Sequence, residues 1–351
     1  MTQNTMKALV YHGPNQISLD DVPVPKLEKP TDVIGKVTVS AICTSDVHIA
    51  AGHIPFVQTP RTLGHEFCME IVEVGSDVTK FKVGQHVHVA PQSSCGTCPE
   101  CLAGFAGHCR NGGGFGIFLD GCQAEYIRVP NAENSMYAIP DGLTDEDVLL
   151  VGDMLATAYF GITRSNVTKG QTVAVMGLGP VGFSACLLLE KAFGCHVIAI
   201  TRKQESLDLA LKQGVAEHTV NAADPDMIQK VMALTGGRGV DAVIETGGSE
   251  QTFNASCAIT KIHGNVSAIA VYAKPITIPI HQMIYKNLNI HMGMQQVEGL
   301  PELMNMVKDG VIDPKFMLTH HAPLNDILKG YDVFGHKADG CIKWVVTPYE
   351  R

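Results

Sequence analysis

Residues 173–182 read VAVMGLGPVG. An apolar run leads into three glycines, Gly177, Gly179 and Gly182, in the pattern G-x-G-x-x-G. Spaced glycines alone carry little weight in a chain with 35 of them. Here they follow a strand-like run, QTVAVM, and open a long apolar helical run, PVGFSACLLLEKAFG. A dinucleotide-binding turn needs that context. The first glycine would permit the tight turn, the second would let backbone approach a pyrophosphate, and the third would let helix and sheet pack closely. A helix N-terminus, here with Pro180 and Val181 in its first turn, favours phosphate charge. The alternative is a strand–turn–helix with no ligand.

Further along, a second strand, CHVIAIT, precedes a helix, QESLDLALKQG. Strands GVDAVIETGG and GNVSAIAVY follow, with helical candidates MIQKVMALTG and QTFNASCAI between them. Strands alternating with helices predict a parallel sheet covered on both faces, the doubly wound Rossmann arrangement. Residues 1–130 differ. Short β-branched runs (KALVY, DVIGKVTVSAI, CMEIVEVG, QHVHVA, AEYIRVP) alternate there with Gly/Pro punctuation and predict antiparallel β with long loops. The tail carries two helical runs, LPELMNMVKDG and NDILKGYDVFG, and a terminal strand, CIKWVVT, that could return to the first domain. The expectation is an α/β protein. A β-rich domain covers 1–153 and 295–351, and a Rossmann domain at 154–294 is inserted within it.

An NAD site places Asp or Glu at the tip of the second strand to hold the ribose 2′-OH. Here that strand runs into Thr201-Arg202-Lys203, and Glu205 comes too late, in the next helix. Arg202 and Lys203 could pair with a 2′-phosphate and Thr201 could donate to it. That favours NADP(H) over NAD(H); the bland alternative is solvated surface charge.

Two groups of residues suggest metal. Cys95, Cys98, Cys101 and Cys109, within SSCGTCPECLAGFAGHC, are spaced C-x2-C-x2-C-x7-C. Four thiolates close a tetrahedral shell with no open position, so zinc in a lobe near 93–110 would be structural. A redox motif would need one C-x-x-C at a helix start, and a disulfide framework conflicts with the compartment argued below. The second group is dispersed: Cys43, Ser45, Asp46 and His48 in CTSDVH, His65 and Glu66 in GHE, and Asp153 in GDMLATAYFG. Cys43, His65 and Asp153 would supply three unlike donors and leave a position open, as a catalytic zinc requires. Singly, each has a plain reading: Cys43 as core, His65 as a turn residue, Asp153 as a helix N-cap.

These motifs, in this order and approximate spacing from MKALVY to the terminal strand, resemble the zinc-containing alcohol dehydrogenases of the medium-chain dehydrogenase/reductase superfamily. The resemblance implies a GroES-like catalytic domain around the Rossmann domain, with substrate and nicotinamide in the cleft between them. It implies catalytic zinc on Cys43, His65 and Asp153, with Glu66 able to approach the metal. It implies a proton relay from Ser45 to His48, with Asp46 orienting. Thr157 and the segment Ile269-Ala270-Val271 would lie near the nicotinamide. The Cys/His/Asp set and the CTSD-x-H string are similar to prokaryotic NADP-dependent secondary-alcohol dehydrogenases. Those often lack the cysteine lobe, and a tyrosine that assists the 2′-phosphate in some of them has no counterpart in HTVNAAD. A homotetramer or homodimer is implied.

Composition narrows the remaining classes. A net charge of -9 without a basic block disfavours nucleic acid and anionic membranes as partners. No run is long and apolar enough to span a bilayer, and MTQNTMKALVYHG has no apolar signal core. A cytoplasmic location follows as the expectation, with most of the seven scattered cysteines as small core residues. The activity expected is reversible hydride transfer between a secondary alcohol and NADP(H), with zinc, two per chain, polarising the substrate oxygen at one of its sites. Phe115, Ile117 and Phe118 in GGGFGIFLDG either pack a loop or line an apolar substrate pocket. NAD-dependent polyol, threonine or formaldehyde dehydrogenases share the framework. A non-catalytic NADPH-binding protein is the alternative of another class.

Overall fold

The computed structural model describes residues 4–349. Two compact units emerge: Met1–Asp153 with Gln296–Lys308 and Asp313–Arg351, and Met154–Gln295 with Asp309–Ile312.

The first unit is β-rich. Val33–Ala41 is its central strand. Its alternating β-branched residues pack both faces, and it pairs antiparallel with Glu66–Val74 and with Tyr126–Val129. Glu66–Val74 pairs in turn with His86–Val89, and that with Met136–Ala138. The terminal strand Lys343–Thr347 lies beside the end of Val33–Ala41, Val345 opposite Ala41, and Leu318–Pro323 adds in parallel beyond it. One core holds Val33, Val37, Phe67, Met69, Ile71, Val87, Val89 and Phe115; a second gathers Leu9, Ile42, Ile49, Leu63, Tyr331, Trp344 and Val346. Sheet register thus brings the starts of two chemically loaded segments together. Ala41, two residues before Cys43, pairs with Glu66, the residue after His65.

The second unit carries a six-stranded, wholly parallel sheet in the spatial order His218–Asn221, His196–Thr201, Thr172–Met176, Val240–Glu245, Thr260–Ala268, Asn289–Met292. Numbered along the chain this is 3-2-1-4-5-6, the dinucleotide-binding order. Val240–Glu245 is buried at every position, as a strand covered on both faces must be. The fold class is α/β, a GroES-like β unit with a Rossmann unit.

The turn between Thr172–Met176 and helix Pro180–Leu187 explains its glycines. Gly177 has φ +103°, a left-handed conformation that a side chain would strain. A Cβ on Gly182 would stand 2.0 Å from the Gly177 carbonyl oxygen, so helix and turn meet only because neither has a side chain there.

Two sequence expectations change. Asp153 is no N-cap: it lies inside a π-helical turn, Val151–Leu155, that continues into helix Ala156–Arg164. Such turns widen the helix by one residue and are frequent at functional sites. Phe115 is fully buried against Phe67, rings edge to face at 5.6 Å, so it belongs to the core and not to a pocket. Ile117 is half-buried against the second core. Phe118 is exposed and stacks on exposed Phe56 at 5.8 Å.

Candidate functional site

Cys43, His65, Glu66 and Asp153 meet in the β-rich unit, each with one donor atom within 4.8 Å of the others. Cys43 ends the run out of the central strand and caps helix Thr44–Ala50. Asp46, one turn in, accepts the Cys43 backbone N–H at 3.0 Å, which fixes where the thiol points. His65 immediately precedes strand Glu66–Val74, and the π-turn delivers Asp153. Cys43 Sγ stands 3.3 Å from Asp153 Oδ2, and His65 Nε2 stands 3.1 Å from the same oxygen. Tetrahedral zinc with sulfur, nitrogen and oxygen donors has edges of about 3.3–3.5 Å. The donor set therefore fits that ion. A buried Glu66 Oε2 without a hydrogen-bond partner marks the same spot. Ser45 Oγ lies 3.3 Å from His65 Nε2, on the donor side of the imidazole.

The electrostatics of the cluster are those of a cation site. Burial pushes the Cys43 thiol up, to about 11, with Asp153 and Glu66 adding to it. Burial also raises the Glu66 carboxyl, to about 7, against the pull of Lys343. For His65 burial works the other way, but the carboxylates of Asp46 and Asp153 outweigh it and hold the imidazolium well above its ordinary range. Asp153 resists burial through His65 and sits at about 2. A proton on His65 and a proton on Cys43 are thus what a divalent ion would displace.

An outer layer supports these groups. Asp46 Oδ1 lies 3.1 Å from His65 Nδ1, an arrangement that sets the imidazole tautomer in metal sites. Asp46 Oδ2 also accepts from Gln123 Nε2 at 3.1 Å, and Gln123 Oε1 accepts from the Tyr331 hydroxyl at 2.7 Å. Lys343 Nζ donates to Glu66 Oε1 at 2.6 Å and to the Ile42 carbonyl at 2.9 Å, with both charged side chains fully buried. Gln123, Tyr331 and Lys343 escaped the sequence reading. Only Lys343 carried a signal, a lysine within the apolar run of CIKWVVT.

The four lobe cysteines form a second cluster with all sulfurs within 4.8 Å. Cys98 Sγ is 3.5 Å from Cys101 Sγ and 3.9 Å from Cys109 Sγ. A disulfide would need about 2.05 Å, whereas edges of a four-thiolate zinc shell are about 3.8 Å. Backbone N–H groups point at the sulfurs, Cys95 N to Cys109 Sγ at 3.2 Å and Cys98 N to Cys95 Sγ at 3.4 Å, and such bonds favour thiolate.

In the Rossmann unit, Gly177, Gly179, Pro180, Val181 and Gly182 form the strand–helix turn. Gly177 N–H donates to the Ile200 carbonyl at 2.8 Å, one residue from Thr201 at the end of the neighbouring strand. Arg202 is exposed just beyond, and Glu205 lies in the first turn of helix Gln204–Lys212. Thr157 is in helix Ala156–Arg164, and Ile269-Ala270-Val271 directly follow strand Thr260–Ala268.

A family model for the alcohol dehydrogenase GroES-like domain matches residues 29–141, and one for zinc-binding dehydrogenase matches residues 180–309. Over 365 residues the chain is 35% identical to an alcohol dehydrogenase of Cupriavidus necator, covering 98% of this chain and 99% of that one. The chain belongs to the zinc-containing alcohol dehydrogenases of the medium-chain dehydrogenase/reductase superfamily. Another relative, L-threonine 3-dehydrogenase of Bacillus licheniformis, is 31% identical over 98% of this chain and 99% of its own length. Among solved structures, zinc dependent alcohol dehydrogenase 2 from Streptococcus pneumonia superimposes with a TM-score of 0.93 at 35% identity, over 99% of each chain. Like its family, the chain is an oxidoreductase of the alcohol dehydrogenase class that acts on small molecules. No helix among the described residues is long and apolar enough to cross a membrane.

Proposed function

We propose that this zinc alcohol dehydrogenase interconverts secondary alcohols and ketones with NADP(H). The convergence of Cys43, His65 and Asp153 on one point carries the reading. These three would hold a catalytic zinc, and Cys95, Cys98, Cys101 and Cys109 a structural one. Zinc at the first site supplies Lewis acidity to the substrate oxygen, and NADP supplies the hydride acceptor.

The remaining work falls to the chain. Ser45 Oγ, half-buried beside His65, takes the proton that leaves the substrate hydroxyl. His48, three residues on and so on the same helix face, carries it outward. Glu66 offers a reserve carboxylate at the metal, and Asp46 holds the His65 ring in place. In the Rossmann unit the Gly177–Gly182 turn takes the pyrophosphate, and Thr157 with Ile269, Ala270 and Val271 flanks the nicotinamide. Thr201 and Arg202 hold the 2′-phosphate. A cytoplasmic location suits eleven cysteines of which none forms a disulfide.

A panel of ketones, sugars and aldehydes with NADPH and with NADH, and of secondary alcohols, polyols and threonine with NADP+ and with NAD+, tests the proposal. The expected result is turnover of ketones with NADPH. Turnover with NADH alone, or of polyols or threonine in preference to ketones, would replace it. The threonine dehydrogenase relative makes NAD-dependent oxidation of a hydroxy amino acid the second reading.

The cofactor assignment has its own variant. Charge-assisted hydrogen bonds are worth about 1.5–3 kcal/mol. Arg202→Ala should therefore raise the KM for NADPH by about 10- to 150-fold and leave the KM for NADH within about twofold. Equal effects on both cofactors would show that Arg202 does not read the 2′-phosphate.

A further inference from the structure

We propose that His53 is the outer station of the proton path, receiving from His48 the proton that leaves the site. The inference rests on the alcohol dehydrogenase reading and on His48 as its relay.

The contact is built by the backbone. Helix Thr44–Ala50 ends in Ala51, and Gly52 follows with φ +76°. Gly52 N–H donates to the Ile49 carbonyl at 2.8 Å and His53 N–H to the His48 carbonyl at 2.9 Å. That pair of bonds is the Schellman ending, which lays the second residue past the cap against the residue one turn back. Those two positions normally share an apolar contact. Here they are both histidines, with ring centroids 5.4 Å apart and Nδ1 to Nδ1 at 3.1 Å. A Cβ on Gly52 would come 2.7 Å from the Pro14 side chain, so the ending has no other residue available to it.

Two Nδ1 atoms at that distance share one proton, because one must donate and the other accept. His48 is half-buried and His53 is exposed, so the pair runs from the half-buried relay histidine to solvent. Burial, then His53, then Lys337 from beyond helix Ile327–Gly335 all depress the His48 pKa, which leaves His48 neutral and ready to accept at neutral pH. In alcohol oxidation His48 gains a proton at Nε2. Its Nδ1–H bond breaks as an Nδ1–H bond forms on His53, and the Nε2–H of His53 goes to water. No charge remains on either ring, but both tautomers have inverted. Ketone reduction runs the same exchange backwards from the inverted state, and proton exchange with water resets idle enzyme.

Single-turnover proton release, followed with an indicator dye in dilute buffer, tests this on zinc-loaded wild type, His53→Ala, His53→Gln and His48→Ala. A positioned base is worth about 10²–10⁴-fold, and a second station behind it less. Both His53 variants should release the proton about tenfold more slowly, and added imidazole should restore the rate. Zinc content and the KM for alcohol should not change. The glutamine of His53→Gln keeps a hydrogen-bonding side chain but cannot pass a proton, so recovery in that variant would mean a structural role and overturn the proposal. Wild-type rates in both His53 variants, with His48→Ala slow, would overturn it too and leave the dehydrogenase reading standing. Absence of any alcohol turnover by the wild type would remove that reading and this path with it.

Discussion

Asp153→Asn should lower alcohol oxidation at least about a thousandfold and cut bound zinc from about two ions per chain to about one, with the fold retained. The substitution keeps shape and removes charge. Cys43 and Asp153 together would formally neutralise a divalent ion, and without the carboxylate an ion held there would carry an uncompensated positive charge in a buried place. The amide is also a weaker donor to a metal than the anion. Loss of the Lewis acid removes several kcal/mol of transition-state stabilisation. The lobe cluster lies elsewhere in the sequence and shares no residue with this one, so an ion held there should stay. Elemental analysis beside steady-state kinetics reads both effects. A variant that kept both ions and normal turnover would show that Asp153 does not hold the catalytic metal. Wild-type protein with one ion and no turnover would instead favour the non-catalytic, NADPH-binding alternative.

What sequence alone could show depended on whether the physics was local. The turn at Gly177–Gly182 was legible because its strand, glycines and helix are contiguous, and Gly177 and Gly182 each have a steric reason to be glycine. The four lobe cysteines were legible for the same reason, since fifteen residues contain the whole cluster. Strands His218–Asn221 and Asn289–Met292 were not. They lie at the two edges of the parallel sheet, each four residues long, and HTVN and NIHM lack the apolar run of a central strand. Asp153 reads as a cap because Asp ahead of an apolar helical run usually is one; in the fold a π-turn, Val151–Leu155, takes that place. Phe115 looks like a loop residue because glycines flank it, yet its ring fills a hole beside Phe67. No spacing rule joins Cys43, His65 and Asp153, which are brought together by the pairing of Ala41 with Glu66 and by the π-turn; resemblance to known sequences was the sole sequence-level link. Gln123 and Tyr331 are 208 positions apart and bear ordinary residue types, so their support of Asp46 could only be seen in three dimensions.

Lys343→Met should destabilise the protein by about 3–5 kcal/mol, the usual cost of stranding one member of a buried ion pair. Methionine nearly matches the lysine stem, so packing changes little and the charge is what is lost. Glu66 Oε1 then has no cation at 2.6 Å, and the Ile42 carbonyl loses its donor. The loss should depend on pH, with a sign that follows from Glu66. Burial already raises its carboxyl, to about 7, while Lys343 opposes that rise. Removing Lys343 lifts it further. A carboxyl whose folded pKa exceeds its unfolded value of about 4.3 binds more protons when folded. In the wild type the same carboxyl already stays protonated in the folded state up to about 7, so the variant's deficit should be smallest and constant below about pH 6 and widen as pH rises through about 7 toward the variant's higher pKa. Denaturant midpoints at pH 5 and pH 8 measure the difference. Lys343→Arg, which retains the charge, should show a smaller loss with little pH dependence. Lys343→Met combined with Glu66→Gln should recover much of the loss, because both charges leave together. A penalty for Lys343→Met that is equal at both pH values and unrelieved by Glu66→Gln would assign the effect to packing, and the charge of Lys343 would then have no part in holding Glu66 beside the metal site.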